Sequence, residues 1–357
     1  MTFLLNGVPY SPDQLKEGQF NFNTPFEEST LAFCKGWLNG KDHFEIQTSG
    51  STGTPKKISF TRKQLEASAK LTETALSLKK EFNALVCLDT KYIAGQMMLV
   101  RSLVTGMSII AVEPGSNPFD QVSSEVQIDF TALVPYQIQA ILNSEQADHF
   151  NSIQKIIIGG AGISNDLVDE LQDYPCSFYA TYGMTETISH IALRKLNEKD
   201  KQDYFHPLPS VNLRKDERDC LIISAPHVSE TEIVTNDIVE LNEDQSFKIL
   251  GRWDNVINSG GVKISPEPVE EKVKNLFNKL QLSNRFFLAG VPDEKLGMKV
   301  ILVIEGKSFS ESEVNKLHSE LKKELSKYEI PKEVKFISSF IQTETQKINR
   351  KKTLELL

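Results

Sequence analysis

Between residue 43 and about residue 250, short apolar runs alternate with longer amphipathic stretches. The runs NALVCLD, MSIIAVE, FTALVP, QKIIIGG and CSFYATYG are rich in β-branched or aromatic residues, and each ends at Pro, Gly or an acidic side chain. That is the pattern of a short buried strand. Segments such as RKQLEASAKLTETALSL instead place their apolar residues at helical spacing. Strands separated by helices predict a parallel sheet covered on both faces. LIISAP, EIVTNDIVELN and SFKILGR follow one another closely, as expected of a small antiparallel subdomain. After Arg252 the pattern resets: ISPEPVEEKVKNLFNKL reads as a helix entered through Ser265 and Pro266, RFFLAGVPD and MKVILVIEG as strands, and ESEVNKLHSELKKELSKY as an amphipathic helix. The predicted class is α/β, with a large layered N-terminal domain of mostly parallel sheets carrying a small antiparallel subdomain, and a C-terminal α+β domain. The expected boundaries are 1–253 and 254–357.

A chain of 357 residues is too long for one ordinary core and suits one large domain plus one small one. With 39% hydrophobic residues and no uninterrupted apolar stretch near the roughly 18 residues of a membrane helix, no membrane span is expected. The start MTFLLNGVPYSPDQL lacks the features of a secretory leader, which predicts a cytoplasmic protein. Cys34, Cys87, Cys176 and Cys220 form no C-x-x-C pair, so reduced, buried thiols are expected rather than a zinc site or a disulfide framework. A net charge of -8 disfavours nucleic acid as a partner. Acidic residues outnumber basic ones before Asn255 and the balance reverses after it. A basic lobe closing on an anionic nucleotide and a set of solvated Lys-rich helices both fit that reversal.

The segment Thr48-Ser49-Gly50-Ser51-Thr52-Gly53-Thr54-Pro55-Lys56 interleaves hydroxyls with Gly and ends in a Lys. Its N–H and O–H groups suit phosphate oxygens, and the ammonium neutralises charge. It does not fit the P-loop pattern G-x-x-x-x-G-K-[ST], and by itself such a stretch is more often an ordinary loop. Gly159-Gly160-Ala161 follows the run QKIII, and Tyr182-Gly183-Met184-Thr185-Glu186 follows SFYAT, at strand ends where open α/β sheets contact ligands. Asp237, then Gly251-Arg252-Trp253-Asp254, then Asn258 to Lys263 with Gly260 and Gly261, come next in order. Thr343-Glu344-Thr345-Gln346-Lys347-Ile348-Asn349-Arg350-Lys351 lies near the end.

Taken together and in this order, these motifs resemble the acyl-adenylate-forming superfamily of acyl-CoA synthetases, adenylation domains and luciferases, from about Thr48 to the C-terminus. The resemblance implies ATP, Mg²⁺ and CoA as partners of a small carboxylic acid, with no nucleic acid and with room for a homodimer. It implies that Thr48 to Lys56 hold the β- and γ-phosphates, that Gly159, Gly160, Ala161 and Tyr182 sandwich the adenine, and that Asp237 and Arg252 hold the ribose. Thr185 would touch the α-phosphate and Glu186 would bind the metal. Lys347 would be the catalytic ammonium bridging carboxylate and α-phosphate, Asp254 the hinge of a mobile C-terminal domain, and Gly260 and Gly261 the wall of a thiol channel. Carboxylate attack on phosphorus is largely positioning and charge stabilisation, which suits cations and donors without a general base.

Within that family, Tyr92-Ile93-Ala94-Gly95-Gln96 with Arg101, and the run Thr181 to His190, look most like the o-succinylbenzoate:CoA ligases of menaquinone synthesis. The resemblance to them implies an aromatic acid whose benzoate stays ionised while its succinyl carboxylate is activated. Tyr92, Gly95, Arg101, Ser189 and His190 are the candidates for recognising it, against readings of Arg101 as a surface salt-bridge residue and His190 as a packed core histidine. Alternatives are a stand-alone adenylation enzyme that loads a carrier-protein thiol, and a nucleotide-binding regulator that has lost catalysis. Three departures from the family stand out. Gln346 replaces the Gly before the catalytic Lys. Asn236 replaces a Gly at a turn where Asn tolerates positive φ. The stretch before Thr48 is much shorter than usual, so that most of one N-terminal subdomain is expected to be missing or reduced.

Overall fold

The computed structural model describes residues 2–47, 57–342 and 348–357. Its largest sheet has nine strands. Six run parallel, in the order Ser177–Gly183, Lys155–Ile158, Phe130–Leu133, Asn83–Val86, Ser108–Ala111 and Phe3–Leu5. Antiparallel strands close both edges, Val8–Tyr10 on one side and His190–Lys195 with His206–Pro207 on the other. Each apolar run singled out in the sequence is one of these parallel strands. Their side chains are buried almost continuously, as in Phe130–Leu133 and Ile156–Ile158, because helical crossovers cover parallel sheets. The two strands before Val8–Tyr10's end escape the periodicity argument: three residues each are too few to alternate.

The crossover helices begin and end where local chemistry tells them to. Helix Arg62–Leu76 opens with a capping box, in which Thr61 Oγ1 accepts from Gln64 N–H at 3.2 Å and Gln64 Oε1 accepts from Thr61 N–H at 2.8 Å. Helix Ile93–Thr105 stops at Gly106, whose φ of 81° is the left-handed conformation that ends helices. Four antiparallel strands, Asn212–Lys215, Cys220–Ser224, Ile233–Leu241 and Phe247–Arg252, form the expected subdomain.

The apolar core divides between Phe247 and Ile257. Beyond that point, Val269, Val273, Leu276 and Phe277 of helix Pro266–Lys279 pack on Leu288, Val300, Leu302 and Ile304. Ile301 and Val303 face the other way, against Phe287, Ile337 and Phe340. Strand Gly297–Glu305 therefore buries both faces, which is why its sequence is apolar without alternation. Strand Glu333–Ile337 joins it in parallel. All four cysteines are free and buried, and burial pushes the thiols of Cys34, Cys87 and Cys176 up to about 12. Among the described residues, no helix is long and apolar enough to cross a membrane.

One fully buried polar residue ties the strand that bears Tyr182 to its neighbours. Asn197 Oδ1 accepts from Phe178 N–H at 3.0 Å, and its Nδ2 donates to the carbonyls of Cys176 and Tyr174 at 2.8 and 3.1 Å. A buried peptide group left without a partner costs about 1–3 kcal/mol. Asn197→Ala is expected to lower the urea unfolding free energy by about 3 kcal/mol or more, measured by near-ultraviolet circular dichroism.

Candidate active site

Strands Lys155–Ile158 and Ser177–Gly183 are parallel neighbours, with Ile158 opposite Ala180. Gly159 to Ala161 and Met184 to Glu186 consequently leave the sheet side by side, at its carboxyl edge, with Tyr182 and Gly183 closing the strand. The second segment folds back at once. A Cβ on Gly183 would lie 2.3 Å from the Ser189 carbonyl oxygen, so only Gly admits the approach. The short turn Thr185–Thr187 is pinned by Thr187, whose Oγ1 accepts from Met184 N–H at 2.9 Å and lies 2.7 Å from the Ser189 carbonyl. Glu186 is left exposed at the rim, and Ser189 and His190 are turned back beneath it.

Tyr182 is buried against Phe247 and Phe205, and its hydroxyl donates to Asp237 Oδ2 at 2.6 Å. Burial, and then the Asp237 charge, push that phenol far above its ordinary pKa, so it remains a donor. Asp237 Oδ1 accepts from Arg252 Nη1 at 3.3 Å. The rest of the Arg252 fork is bidentate to Asp254, Nε to Oδ1 at 2.9 Å and Nη2 to Oδ2 at 3.0 Å. That bond holds Asp254 below the usual carboxylate range and Arg252 above its own. Four predicted residues from three parts of the chain thus form one chain of contacts. The Arg252–Asp254 link is nearly half exposed on both sides. Such pairs stabilise by only about 0–1 kcal/mol, so little holds this link closed.

A second cluster lies deeper. Arg101, 3% exposed, projects from helix Ile93–Thr105. Its Nη2 donates to Ser189 Oγ and faces His190 Nδ1 at 3.5 Å, while its Nε donates to Thr72 Oγ1 at 3.3 Å. Thr72 Oγ1 also meets His190 Nε2 at 3.1 Å. With a guanidinium facing Nδ1, the ring is neutral and carries its proton on Nε2, donating to Thr72. Burial first, then the Arg101 charge, hold His190 well below the usual imidazole value. Among the described residues, no carboxylate lies within ion-pair distance of Arg101, and burial pushes its pKa down to about 9. The surface salt bridge that the sequence allowed for Arg101 is therefore not formed.

Tyr92 stands at the N-terminal boundary of the helix that carries Arg101, without a side-chain capping bond. Gly95 has a packing reason of its own: a Cβ there would stand 2.5 Å from the carbonyl oxygens of Leu88 and Asp89. Gly260 and Gly261 make the turn between strands Ile257–Ser259 and Val262–Ile264. Asn236 does not occupy a left-handed turn. It continues strand Ile233–Leu241 without positive φ, and its Oδ1 accepts from Arg218 Nη1 at 3.0 Å. Thr48, Ser49, Gly50, Ser51, Thr52, Gly53, Lys56 and Lys347 lie outside the described residues. Thr72 completes the Arg101 cluster yet escaped sequence reasoning, because a Thr on the inner face of a helix carries no local signal.

Comparison with known proteins places this geometry. Residues 40–219 match the AMP-binding enzyme family. Among solved structures, an acyl-CoA synthetase (AMP-forming)/AMP-acid ligase II-like protein from Dyadobacter fermentans is 38% identical, with 95% of this chain and 97% of that chain covered and a TM-score of 0.63. O-succinylbenzoate coenzyme A synthetase from Bacillus subtilis, solved with ATP and magnesium, is 20% identical over 87% of this chain and 69% of its own, with a TM-score of 0.73, a likeness of fold. The 2-succinylbenzoate–CoA ligases of Lactococcus lactis and Staphylococcus aureus are 27% and 26% identical over 86% and 85% of this chain. The chain spans 69% and 65% of those two relatives' lengths. With half of its length matching the family and nearly all of it aligned to a relative at 38% identity, the chain belongs to the AMP-binding enzymes.

Proposed function

We propose that the protein is an ATP-dependent acid:CoA ligase that joins o-succinylbenzoate to AMP with release of pyrophosphate, then passes the acyl group to the thiol of CoA with release of AMP. The observation that carries the choice of acid is Arg101. A guanidinium stripped of water and given no carboxylate is costly; an anion delivered by the substrate offsets that cost. The spectator benzoate of o-succinylbenzoate is such an anion, and Ser189 and the neutral His190 beside it orient the guanidinium. The names of the Lactococcus and Staphylococcus relatives favour the same acid.

In this reading Tyr182, with Gly159 to Ala161, flanks the adenine. Asp237 and Arg252 exchange their mutual bond for the ribose hydroxyls. Glu186 is exposed with no ion-pair partner among the described residues, which fits Mg²⁺, an ion content with one carboxylate when substrate phosphates supply further oxygens. Held by Glu186 there, the ion would neutralise charge on the triphosphate. Thr48 to Lys56 hold the phosphates, Thr185 touches the α-phosphate, and Lys347 bridges it to the attacking carboxylate. Residues 254–357 then turn about Asp254 so that Gly260 and Gly261 border the path of the thiol, and water stays excluded from the adenylate.

Purified protein should exchange pyrophosphate into ATP with o-succinylbenzoate and form its CoA thioester; no exchange across a panel of aryl acids would refute the ligase, and adenylate without turnover of free CoA would point to a carrier-protein substrate. Lys347→Ala should abolish exchange while supplied acyl-adenylate still reacts with CoA. Arg101→Met should cut the kcat/KM preference for o-succinylbenzoate over 4-oxo-4-phenylbutanoate about tenfold to a hundredfold, the worth of a charge-assisted bond. His190 bears on pH. The unfolded chain takes up its proton near pH 6.5 and the folded protein resists it, so this contribution to stability is complete above about pH 6.5 and lost below. Urea unfolding of His190→Gln between pH 7.5 and 5.5 should show a shallower decline than wild type.

A further inference from the structure

The stretch that carries Lys347 is flanked by residues bound firmly to the C-terminal lobe. Gln342 and Ile348 form an antiparallel bridge, and Asn349 N–H donates to the Ile341 carbonyl at 2.8 Å. Ile341 N–H donates to Thr353 Oγ1 at 3.1 Å, from a side chain wholly buried in the helix Arg350–Leu354. Three residues beyond Lys347, Arg350 lies over the Phe287 ring at 5.6 Å and its Nη2 donates to Glu270 Oε2 at 2.8 Å. The other Glu270 oxygen accepts from Leu288 N–H at 2.7 Å. One carboxylate on helix Pro266–Lys279 therefore joins that helix, the strand Phe286–Asp293 and the helix that follows Lys347.

Stability alone does not ask for this pair. Only 17% of the Glu270 side chain is exposed, and an apolar replacement of a buried ion pair is often as stable. What a charge-assisted pair adds is direction. Three residues of chain reach at most about 10 Å, so the anchor at Arg350 bounds how far from it Lys347 can lie. We propose that Glu270 and Arg350 are positioning residues for the adenylate-forming step, aligning the segment that bears Lys347. This rests on the ligase reading above, in which Lys347 serves that step and not the thiol transfer.

The test uses the full chain and measures acid-dependent pyrophosphate exchange beside thioester formation from supplied acyl-adenylate. Glu270→Gln is the gentle variant, because Gln still accepts from Leu288 N–H and leaves Arg350 partly solvated. It should lower kcat for exchange by about tenfold to a hundredfold, the effect of an ångström-scale misplacement. KM for ATP and acid, and the transfer rate, should stay within about twofold by the same argument. Arg350→Lys, which keeps the charge, should retain more exchange than Arg350→Met. Unchanged exchange in Glu270→Gln, or equal loss in both half-reactions, overturns the proposal. If Glu270→Gln melts early, the double variant Glu270→Gln/Arg350→Met removes both charges, and its folding with full exchange would also overturn it. Loss of fold in both variants would assign the pair a structural role instead. Absence of exchange in the wild type, or its survival in Lys347→Ala, would defeat the ligase reading itself.

Discussion

A single carboxylate, Asp237, joins side chains from the large sheet and from the antiparallel subdomain. Tyr182 reaches it from the last parallel strand of the large sheet, and Arg252 reaches it from the end of the antiparallel subdomain. The same guanidinium grips Asp254, where the apolar core gives way to that of the C-terminal lobe. Because Tyr182 is buried and remains protonated, its bond to Asp237 is a fixed strut. The Arg252 fork is more exposed and more easily exchanged. One end of the linkage is thus rigid and the other more easily released.

The second constraint is the cost of burying charge. The Arg101 guanidinium is surrounded by a hydroxyl from Thr72, another from Ser189, a neutral imidazole and the Met98 sulfur at 3.8 Å. These groups satisfy donors without cancelling the positive charge. His190 answers by staying neutral. A carboxylate from the protein in the same place would be cheaper for folding.

Glu270 shows the opposite solution. There the chain supplies its own countercharge and spends both carboxylate oxygens on local geometry, one on a strand N–H and one on Arg350. The two arginines differ in this: Arg350, partly exposed, meets a protein carboxylate, whereas Arg101, buried, meets none among the described residues.

Much of this was legible in the chain. The apolar runs ending in Gly, Pro or an acid gave away the parallel strands, since a strand buried on both faces has no other way to be written. The ordered motifs around Gly159, Tyr182, Asp237 and Arg252 identified the candidate site, because strand ends bearing Gly and polar residues stand out against apolar runs. The short strands Phe3–Leu5 and Val8–Tyr10, the fourfold use of Asn197 and the participation of Thr72 were not legible. Their partners lie far away in sequence, and one Thr or Asn in an amphipathic stretch looks like any other. Nor could residue order say whether Arg101 meets a carboxylate, or that Asn236 continues a strand instead of turning. The sequence by itself determined where strands and helices begin and which residue types stand at their ends, since those depend on neighbours along the chain. Only the tertiary structure decided which charges are paired, which are buried alone and which oxygen each donor takes, because desolvation and hydrogen bonding depend on distances across the fold.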